Sequence, residues 1–319
     1  MKTKIKLFDS FAGYGGAHFA LKKAKINHKA VGYSENDKFA IEIYELNHPD
    51  VKNYNDITKI NPVELPDFNF FTGGFPCQPF SQAGDGLGVK DTRGTLFHDV
   101  IRICEHKQPE NILLENVKGL ITARHKYTLQ TIREELIRIG YNVHVQLLNS
   151  KHYGIPQNRE RVWIYATKKS LPLNFDLAPD PIPLEKDLKY FLDKNPEEHL
   201  YLNEKQIDRL IELHKVDFNV TEPCCLDIYN KKVRTDGICV TITEPHHNTM
   251  RIVEPPKNGK FIVRKVSTFE HFRLMGFDDG QIKFGDMSYS QICKRAGNGW
   301  DINIASIIMK NIFKFYHHF

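Results

Sequence analysis

Residues 9–16 read DSFAGYGG; the segment 4–11, which alternates into an apolar strand, leads into them, and a helical pattern follows at 17–24. A strand that ends in a glycine-rich turn and continues into a helix lets a ligand approach the backbone amides at the start of that helix. The turn is not the dinucleotide pattern G-x-G-x-x-G, and the chain contains no G-x-x-x-x-G-K-[ST], so phosphoryl transfer lacks its phosphate cradle. The segment predicts an open α/β sheet with a ligand site at the carboxyl ends of its strands.

The next two apolar segments also end in polar residues. The strand expected at 30–34 is followed by Glu35, about 20 residues after the glycine turn, where folds of this kind hydrogen-bond ribose hydroxyls. An acidic cap of the following helix is the alternative interpretation of Glu35. A third strand is expected to end at 53–57, which places Asp56 at a strand edge. Three polar strand ends in chain order favour a cofactor that contains a nucleoside.

The segment GGFPCQPFS, residues 73–81, follows the apolar run 68–71 and presents Cys77 just beyond a predicted strand. Most cysteines are small buried hydrophobes, and a catalytic nucleophile is the alternative. Residues 82–94 contain four glycines in thirteen positions, which is typical of a loop that could close over a substrate.

Two charged features follow further along the chain. Glu115 comes directly after the short apolar strand predicted at 111–114, a position that suits a general acid or a hydrogen-bond donor. A strand is predicted from residue 157, in which Gln157, Arg159 and Arg161 share one face because alternate residues of a strand point the same way. Two arginines on one face suit the recognition of phosphate, carboxylate or carbonyl groups.

The 319-residue chain has an ordinary globular composition, 41% hydrophobic and 26% charged, with a net charge of +5. The charge is unevenly distributed: residues 180–230 contain six Lys/Arg against twelve Asp/Glu, whereas residues 231–265 contain eight against three. A charge run is usually a solvated face, but this one could also contact phosphates.

The six cysteines include no C-x-x-C pair and no partnered histidine spacing, so the sequence indicates neither a disulfide framework nor a bound metal. No apolar run is long enough for a signal-peptide core or a membrane span. We therefore expect a reducing, intracellular compartment.

Composition also predicts the organisation of the second half of the chain. The proline-rich stretch 171–183 marks a domain boundary, after which 185–215 is expected to be helical and 216–261 to form short irregular strands. Ser267 or Thr268 is expected to cap a short helix that Gly276 ends. An amphipathic helix is predicted at 301–315.

Taken in chain order, these segments resemble the DNA (cytosine-5)-methyltransferase family, of the bacterial restriction-modification type. The resemblance spans nearly the whole chain except about 178–234. The matching segments are Asp9-x-Phe11-x-Gly13-x-Gly15-Gly16, Glu35, Asp56-Ile57, Pro76-Cys77-Gln78, Glu115-Asn116-Val117, Gln157-x-Arg159-x-Arg161, Arg273-Leu274-x-Gly276-Phe277 and Gly297-Asn298.

The resemblance implies an α/β fold, the Rossmann-like doubly wound sheet of S-adenosylmethionine-dependent methyltransferases, with a smaller, irregular target recognition domain. It implies four parts of the chain. They are a catalytic and cofactor-binding domain at 1–178, the target recognition domain at 179–263, a hinge at 264–290, and a C-terminal helix at 291–319 that packs back on the catalytic domain.

The resemblance also implies a reaction. Cys77 would add its thiolate to carbon 6 of a cytosine that has left the DNA stack, which activates carbon 5 for methylation by S-adenosylmethionine. Glu115 would hold the ring nitrogen and the exocyclic amine. Arg161 would bind the cytosine carbonyl oxygen, and Arg159 would support the pocket.

Two further sets of residues are carried over from the family. Those expected to bind S-adenosylmethionine are Phe11, Gly13, Gly15, Gly16, Glu35, Asn36, Asp56, Ile57, Pro76, Leu96 and Asn298. Those expected to contact DNA are Ser81, Arg93, Arg234, Thr241 and Thr243. Two departures affect the cofactor site: Asn36 removes an apolar lid over the adenine, and Gly299-Trp300 replaces the usual Ser-Val after Asn298.

The expected partner is double-stranded DNA, and the expected enzyme is an active monomer in the cytoplasm of a bacterium or encoded by a phage, with a possible cognate restriction endonuclease. The nearest rival is a tRNA-modifying member of the same family, which typically carries a Cys-Phe-Thr segment absent from this sequence. An NAD-type dehydrogenase or a catalytically inactive DNA-binding module is a rival from another class.

Overall fold

The computed structural model describes residues 4–76, 96–122, 126–172, 174–245 and 250–316. The predictions made for Cys77, Ser81, Arg93 and the glycine-rich loop 82–94 lie outside the described residues. The chain divides into two compact units. The first unit comprises Met1–Leu148, Glu160–Pro179 and Ala305–Phe319, and the second comprises Asn149–Arg159 and Asp180–Ile304.

The strands and helices alternate through the first half of the chain, as the glycine turn predicted. The strands are β1 (Ile5–Ser10), β2 (His28–Ser34), β3 (Phe70–Gly73), β4 (Asn111–Val117), β5 (Asn142–Asn149), β6 (Gln157–Asn158), β7 (Glu160–Thr167), β8 (Cys224–Asp227), β9 (Lys232–Arg234), β10 (Cys239–Val240), β11 (Met250–Lys257) and β12 (Lys260–Arg264). The α-helices are α1 (Gly16–Lys23), α2 (Lys38–Asn47), α3 (Leu96–Lys107), α4 (Lys126–Arg138), α5 (Glu204–His214), α6 (Thr268–Arg273), α7 (Tyr289–Asn298) and α8 (Ile302–Tyr316).

The first unit is built on a six-stranded sheet with the order β2-β1-β3-β4-β7-β5. Strands β2, β1, β3 and β4 run parallel, and β7 is antiparallel to β4. Helices cover both faces of this sheet, because the neighbouring residues Phe70 and Phe71 point to opposite faces. Phe71 belongs to an apolar cluster with residues of α3 and α4. Phe70 packs edge to face on Phe313 of α8, with the ring centres 5.2 Å apart. The first unit is therefore a doubly wound α/β sheet.

The carboxyl ends of β1, β2 and β3 are aligned by the register of the sheet. Asp9 lies opposite both Tyr33 and Thr72. Gly73 lies opposite Ser10, and a β-carbon at Gly73 would come within 2.3 Å of the Ser10 hydroxyl, so only glycine allows this close approach. The turns that follow the three strands consequently meet at one edge of the sheet.

The strand predicted to end at 53–57 is wrong. Within the described residues, Asn53 forms a single bridge to Tyr33, and a short 3-10 helix, Ile57–Lys59, follows. The side-chain oxygen of Asn53 accepts the amide of Asn55 at 2.8 Å, and Asn55 has a left-handed backbone with φ 57°. Side-chain hydrogen bonds to the backbone compete with a strand ladder, and a left-handed residue ends an extended chain.

The second unit contains a four-stranded sheet, β12-β11-β8-β9, and a two-stranded parallel pair, β10-β6. The neighbouring strands of the larger sheet are antiparallel, and an apolar cluster that includes Phe218, Leu226 and Val263 packs with it. The short strands predicted for 216–261 are thus confirmed.

The helical structure predicted at 185–215 is wrong over about the first two thirds of that stretch. That stretch contains only two 3-10 turns, Leu188–Phe191 and Glu198–Leu200, before α5 begins. Asn195 precedes Pro196, and the residue before a proline is disfavoured in helical conformation. Helix α5 begins only where Asn203 and Gln206 form a reciprocal capping box.

The predictions for the two later helices are confirmed. Ser267 caps α6 through a capping box with Glu270, and Gly276 follows the helix with a left-handed φ of 88°. Helix α8 covers the predicted C-terminal stretch. No helix in the described part of the chain is both long and apolar enough to cross a membrane.

Candidate active site

The glycine turn between β1 and α1 is held in a left-handed backbone. Phe11, Gly13 and Gly15 have φ values of 50°, 56° and 86°. The left-handed region suits glycine but is costly for an aromatic residue such as Phe11, and such costs cluster at functional sites. Gly15 is the N-cap of α1 and provides no side-chain hydrogen bond to the first turn, which Gly16 begins. The turn therefore leaves the start of α1 without a side-chain cap.

Glu35 fixes this turn from the end of β2. One carboxylate oxygen accepts the amide of Gly13 at 3.0 Å, and the other accepts the amides of Asn36 and Asp37, both at 2.9 Å. Asn36 itself is exposed. A carboxylate has about four acceptor positions, so Glu35 organises the turn and retains capacity for a hydroxyl donor.

Asp56 and an apolar wall lie beyond the turn. Asp56 caps the 3-10 helix: one oxygen accepts the Thr58 amide at 3.0 Å and the Thr58 hydroxyl at 2.8 Å, and these bonds lower the pKa of the carboxyl. Its other oxygen has no hydrogen-bond partner among the described residues. Ile57 is buried in the apolar cluster of the first unit, and Phe11 and Leu96 pack against that cluster. Pro76 is exposed.

Asp9 lies beneath the glycine turn and is 3% exposed. The Thr72 hydroxyl donates to one of its oxygens at 2.6 Å, and the other oxygen is buried without a hydrogen-bond partner in the described structure. Burial raises the pKa of Asp9 to about 8, assisted by the negative charge of Glu35 and opposed by the Thr72 bond. Asp9 is consequently an uncharged acid at neutral pH.

Glu115 and Arg161 form an ion pair on neighbouring strands. The Arg161 Nε lies 2.9 Å from a Glu115 oxygen, and both side chains are mostly buried, 16% and 11% exposed. Arg161 also donates to the carbonyl of Glu160 at 2.9 Å. Strands β4 and β7 run antiparallel, with Val117 opposite Arg161, so the sheet register itself brings the acid and the guanidinium together.

Asn116 is a site residue to which the sequence analysis assigned no role. Its side-chain amide donates to the carbonyl of Phe75 at 2.9 Å, which ties the chain that leaves β3 to the end of β4. Phe75 is two residues before Cys77 in the sequence, so this bond fixes the described chain just before the cysteine. The only sequence signal was its place beside Glu115 after an apolar run.

The prediction of one continuous strand through Gln157, Arg159 and Arg161 is wrong, although the side chains of Gln157 and Arg159 both hydrogen-bond the backbone of Ile242. The strand is interrupted at Arg159: β6 pairs with β10 in the second unit, whereas β7 pairs with β4 in the first. Arg159 is 2% exposed and donates to the carbonyls of Ile242, Gly297 and Gly299 at 2.9, 3.2 and 2.8 Å. The Arg159 guanidinium is therefore held among backbone carbonyls of the second unit.

The remaining predicted residues of the second unit are engaged within it. The Thr241 hydroxyl donates to the Asn158 carbonyl at 2.6 Å, and Arg234 is ion-paired with Asp236. The exposed Asn298 side chain donates to Glu244 at 3.2 Å. Thr243 lies with its backbone against Gly297, where a β-carbon would come within 2.4 Å of it. Their roles toward cofactor and DNA stay predictions.

The geometry of the first unit defines a class of domain. The start of α1 has no side-chain cap and suits a carboxylate. Glu35, fixed at the end of the second strand, suits a ribose, and Asp56, which among the described residues keeps a free acceptor oxygen beside an apolar wall, suits an adenine. Within the described residues, no group of three or more His, Cys, Asp or Glu side chains could hold a metal ion. The first unit is thus a Rossmann-like domain whose site suits a ligand that contains a nucleoside.

Comparison with known proteins identifies the family. The family described as C-5 cytosine-specific DNA methylase matches residues 5–314, and this chain belongs to it. The chain is 35% identical over 315 residues to the type II methyltransferase M.NgoBI of Neisseria gonorrhoeae, covering 96% of this chain and 92% of that protein. It is 32% identical over 321 residues to M.HhaI of Haemophilus parahaemolyticus, covering 97% and 94%.

Solved structures support the fold. A DNMT2 mutant of Spodoptera frugiperda superposes with a TM-score of 0.76 at 20% identity, over 97% of this chain and all of that one. A protein described as a DNA modification methyltransferase encoded within an E. coli prophage gives a TM-score of 0.70 at 18% identity, over 98% of this chain and 100% of its own. The predicted fold class and the predicted activity, DNA (cytosine-5-)-methyltransferase, are both confirmed.

Proposed function

We propose that this enzyme transfers a methyl group from S-adenosylmethionine to carbon 5 of a cytosine turned out of duplex DNA, through a covalent adduct with Cys77. The observation that carries the proposal is the buried pair of Glu115 and Arg161 beside the Asn116 tether on the segment that leads to Cys77. An acid and a guanidinium together match the polar edge of cytosine, which presents a ring nitrogen, an amine and a carbonyl oxygen.

The chemistry assigns a task to each group. The Cys77 thiolate adds to carbon 6, which breaks the double bond between carbons 5 and 6 and makes carbon 5 nucleophilic. Glu115 in its protonated form donates to the ring nitrogen and accepts from the amine, and the proton it supplies balances the negative charge that the addition creates, while Arg161 donates to the carbonyl oxygen. Loss of the proton at carbon 5 after methylation then expels the thiolate and restores the ring.

The first unit fits S-adenosylmethionine, which supplies the electrophilic methyl group when it is bound. The uncapped start of α1 suits the carboxylate of its methionine part, and Glu35 suits the ribose hydroxyls. The unpartnered oxygen of Asp56 suits the adenine amine, with Phe11, Ile57 and Leu96 as the apolar wall. We assign Asn36, Pro76 and Asn298 to the same site on the resemblance alone.

Duplex DNA is the proposed substrate, and the β8–β9 hairpin supports it. Tyr229 at the hairpin tip is 83% exposed, and Lys231 and Lys232 follow it without an ion pair among the described residues. An exposed aromatic beside cations suits bases and phosphates. Arg234, Thr241, Thr243, Ser81 and Arg93 complete the proposed DNA contacts.

The type II methyltransferases among the relatives suggest the biological setting. We propose that the enzyme is the modification partner of a restriction endonuclease, acting as a monomer in the cytoplasm of a bacterium or encoded by a phage. The functional division keeps 1–178 for catalysis, 179–263 for target recognition, 264–290 as a hinge and 291–319 as the C-terminal support.

The proposal is tested by trapping the adduct. Bisulfite sequencing of DNA from cells that express the enzyme identifies the target cytosine. In a duplex with 5-fluorocytosine at that position, carbon 5 carries fluorine in place of the proton whose loss releases the cysteine, so the adduct persists. We expect a complex that survives denaturing electrophoresis and is absent for Cys77→Ser, while Cys224→Ser, a buried cysteine of the second unit, still forms it. An adduct formed equally by Cys77→Ser would refute the nucleophile, and methylation of tRNA but not of DNA would refute the substrate.

A further inference from the structure

His48 lies directly behind the glycine turn. It is the C-cap of α2 and is 3% exposed. A β-carbon at Gly15 would come within 2.7 Å of the His48 Nε2 and 2.8 Å of its Cδ2, closer than real β-carbons approach other atoms. The edge of the imidazole ring therefore packs against the backbone of Gly15, and there is no space for a side chain between α2 and the turn.

The His48 ring is itself fixed by aromatic neighbours. It stacks on His18 with the ring centres 4.0 Å apart and the planes at 25°. Phe19 meets it at 4.7 Å, and Tyr44 meets it edge-on at 5.0 Å. His18 and Phe19 belong to α1, and Tyr44 belongs to α2. The His48 ring thus packs between the two helices, and its position determines the position of the turn.

The polar neighbours of His48 define its protonation state. The ammonium of Lys22 lies 3.4 Å from Nδ1, and because an ammonium can only donate, Nδ1 accepts and Nε2 carries the proton of a neutral ring. Nε2 is buried without a partner in the described structure. Among the described residues, the charged and titratable groups around the ring are His18 and Lys22 on α1, His28 on β2 and Tyr44 on α2, and none of these is a carboxylate.

We propose that His48 is a positioning residue for the cofactor: its ring presses against Gly15 and holds the turn in the backbone conformation that keeps the start of α1 open. The proposal rests on the assignment of S-adenosylmethionine to this turn. His48 acts through Gly15 and touches no part of the cofactor itself. Its removal is expected to loosen the turn and weaken cofactor binding while the chemistry of Glu115 and Cys77 is unchanged.

The test compares His48→Ala, His48→Phe and the control His28→Gln, which removes a histidine that meets His18 edge-on and is not against Gly15. Binding of S-adenosylhomocysteine is measured by calorimetry, and kcat at saturating cofactor by methyl incorporation. We expect His48→Ala to raise the dissociation constant about tenfold with kcat within about twofold of the parent, and His48→Phe, which restores a flat ring, to recover binding to within about threefold. Thermal melting checks that each variant is folded.

Three results would overturn the proposal. They are unchanged binding by His48→Ala, a loss in His48→Phe equal to that in His48→Ala, and an equal loss in His28→Gln, which would assign the effect to the group of three histidines as a whole. Failure of the unaltered enzyme to bind S-adenosylhomocysteine would instead refute the cofactor assignment on which the proposal depends. The two failures are distinguished by the parent protein alone.

Discussion

Acidification is expected to remove stability from the first unit through His18 and His48. Burial lowers the pKa of both rings from 6.5, to about 2 for His18 and about 3 for His48, and the neighbouring Lys22 and His28 add to the effect. The unfolded chain therefore takes up protons near pH 6.5 that the folded chain does not bind. Stability from these rings is present above pH 6.5 and is lost as the pH falls below it.

The magnitude follows from the two pKa values. A pH of about 5.0 is about 1.5 units below the ordinary histidine pKa. Protonation of the unfolded chain therefore lowers the free energy of unfolding by about 2 kcal/mol per ring and by about 4 kcal/mol for the pair. A domain of ordinary stability unfolds with about 5–15 kcal/mol, so this loss is a large fraction of the total. Replacing one ring by a group that cannot be protonated should therefore remove about half of the loss.

Urea unfolding followed by circular dichroism, at several values between about pH 7.5 and 5.0, measures the effect. We expect the free energy of unfolding of His48→Phe to fall by about 2 kcal/mol less than that of the parent over this range. His106→Gln is the control, because His106 is an exposed residue of α3, and its curve should run parallel to that of the parent. Parallel curves for His48→Phe and the parent would show that His48 carries no part of the acid sensitivity.

Three further changes have defined outcomes. Asp9→Asn should be more stable than the parent at about pH 8.5 and lose that advantage near pH 4. The pKa of Asp9 is raised from 3.8 to about 8 in the folded chain, so the stabilising contribution of Asp9 is present below pH 3.8 and is lost as the pH rises through 8. Urea unfolding at both pH values measures this difference. Asn116→Ala should lower kcat by about tenfold to a hundredfold with unchanged binding of S-adenosylhomocysteine, because it frees the segment before Cys77, and steady-state kinetics measure it. Gly73→Ala should cost about 1–3 kcal/mol in urea unfolding through its clash with Ser10, and Gly73→Ala/Ser10→Ala should recover part of the loss.

Each of these outcomes can fail in a recognisable way. A stability difference between Asp9→Asn and the parent that is the same at both pH values would show that Asp9 is ionised alike in the folded and unfolded chain. Weaker cofactor binding by Asn116→Ala would place its effect at the cofactor site instead of the segment before Cys77. A double variant at Gly73 and Ser10 no more stable than Gly73→Ala would remove the clash as the cause.

The parts of the site that were predictable are those fixed by local sequence. The glycine turn, Glu35 after the second strand and the Ser267 cap each depend on residues within a few positions of one another. Their geometry follows from backbone conformations that few residue types adopt, such as the left-handed φ of Gly15. Local patterns of this kind can be recognised in a sequence without knowledge of the rest of the fold.

The errors and omissions have a different physical origin. The strand through Arg159 was predicted from alternation, but it is interrupted at Arg159, whose guanidinium donates to three carbonyls distant in sequence. Asn116 reaches Phe75 across 41 residues, and His48 touches Gly15 only because α2 packs beside α1. Such contacts depend on tertiary packing, which can override a local sequence pattern. They cannot be recognised from the local sequence pattern alone.

The place of α8 in the first unit has a consequence for biosynthesis. Phe313 packs on Phe70 of β3, and Ile308, Met309 and Ile312 of the same helix are fully buried, although more than 200 residues separate the helix from that strand. While the ribosome is still translating the second unit, the face of the sheet at Phe70 has no α8 to cover it. The nascent chain is therefore expected to expose an apolar surface, and to recruit chaperones there, until its last helix emerges.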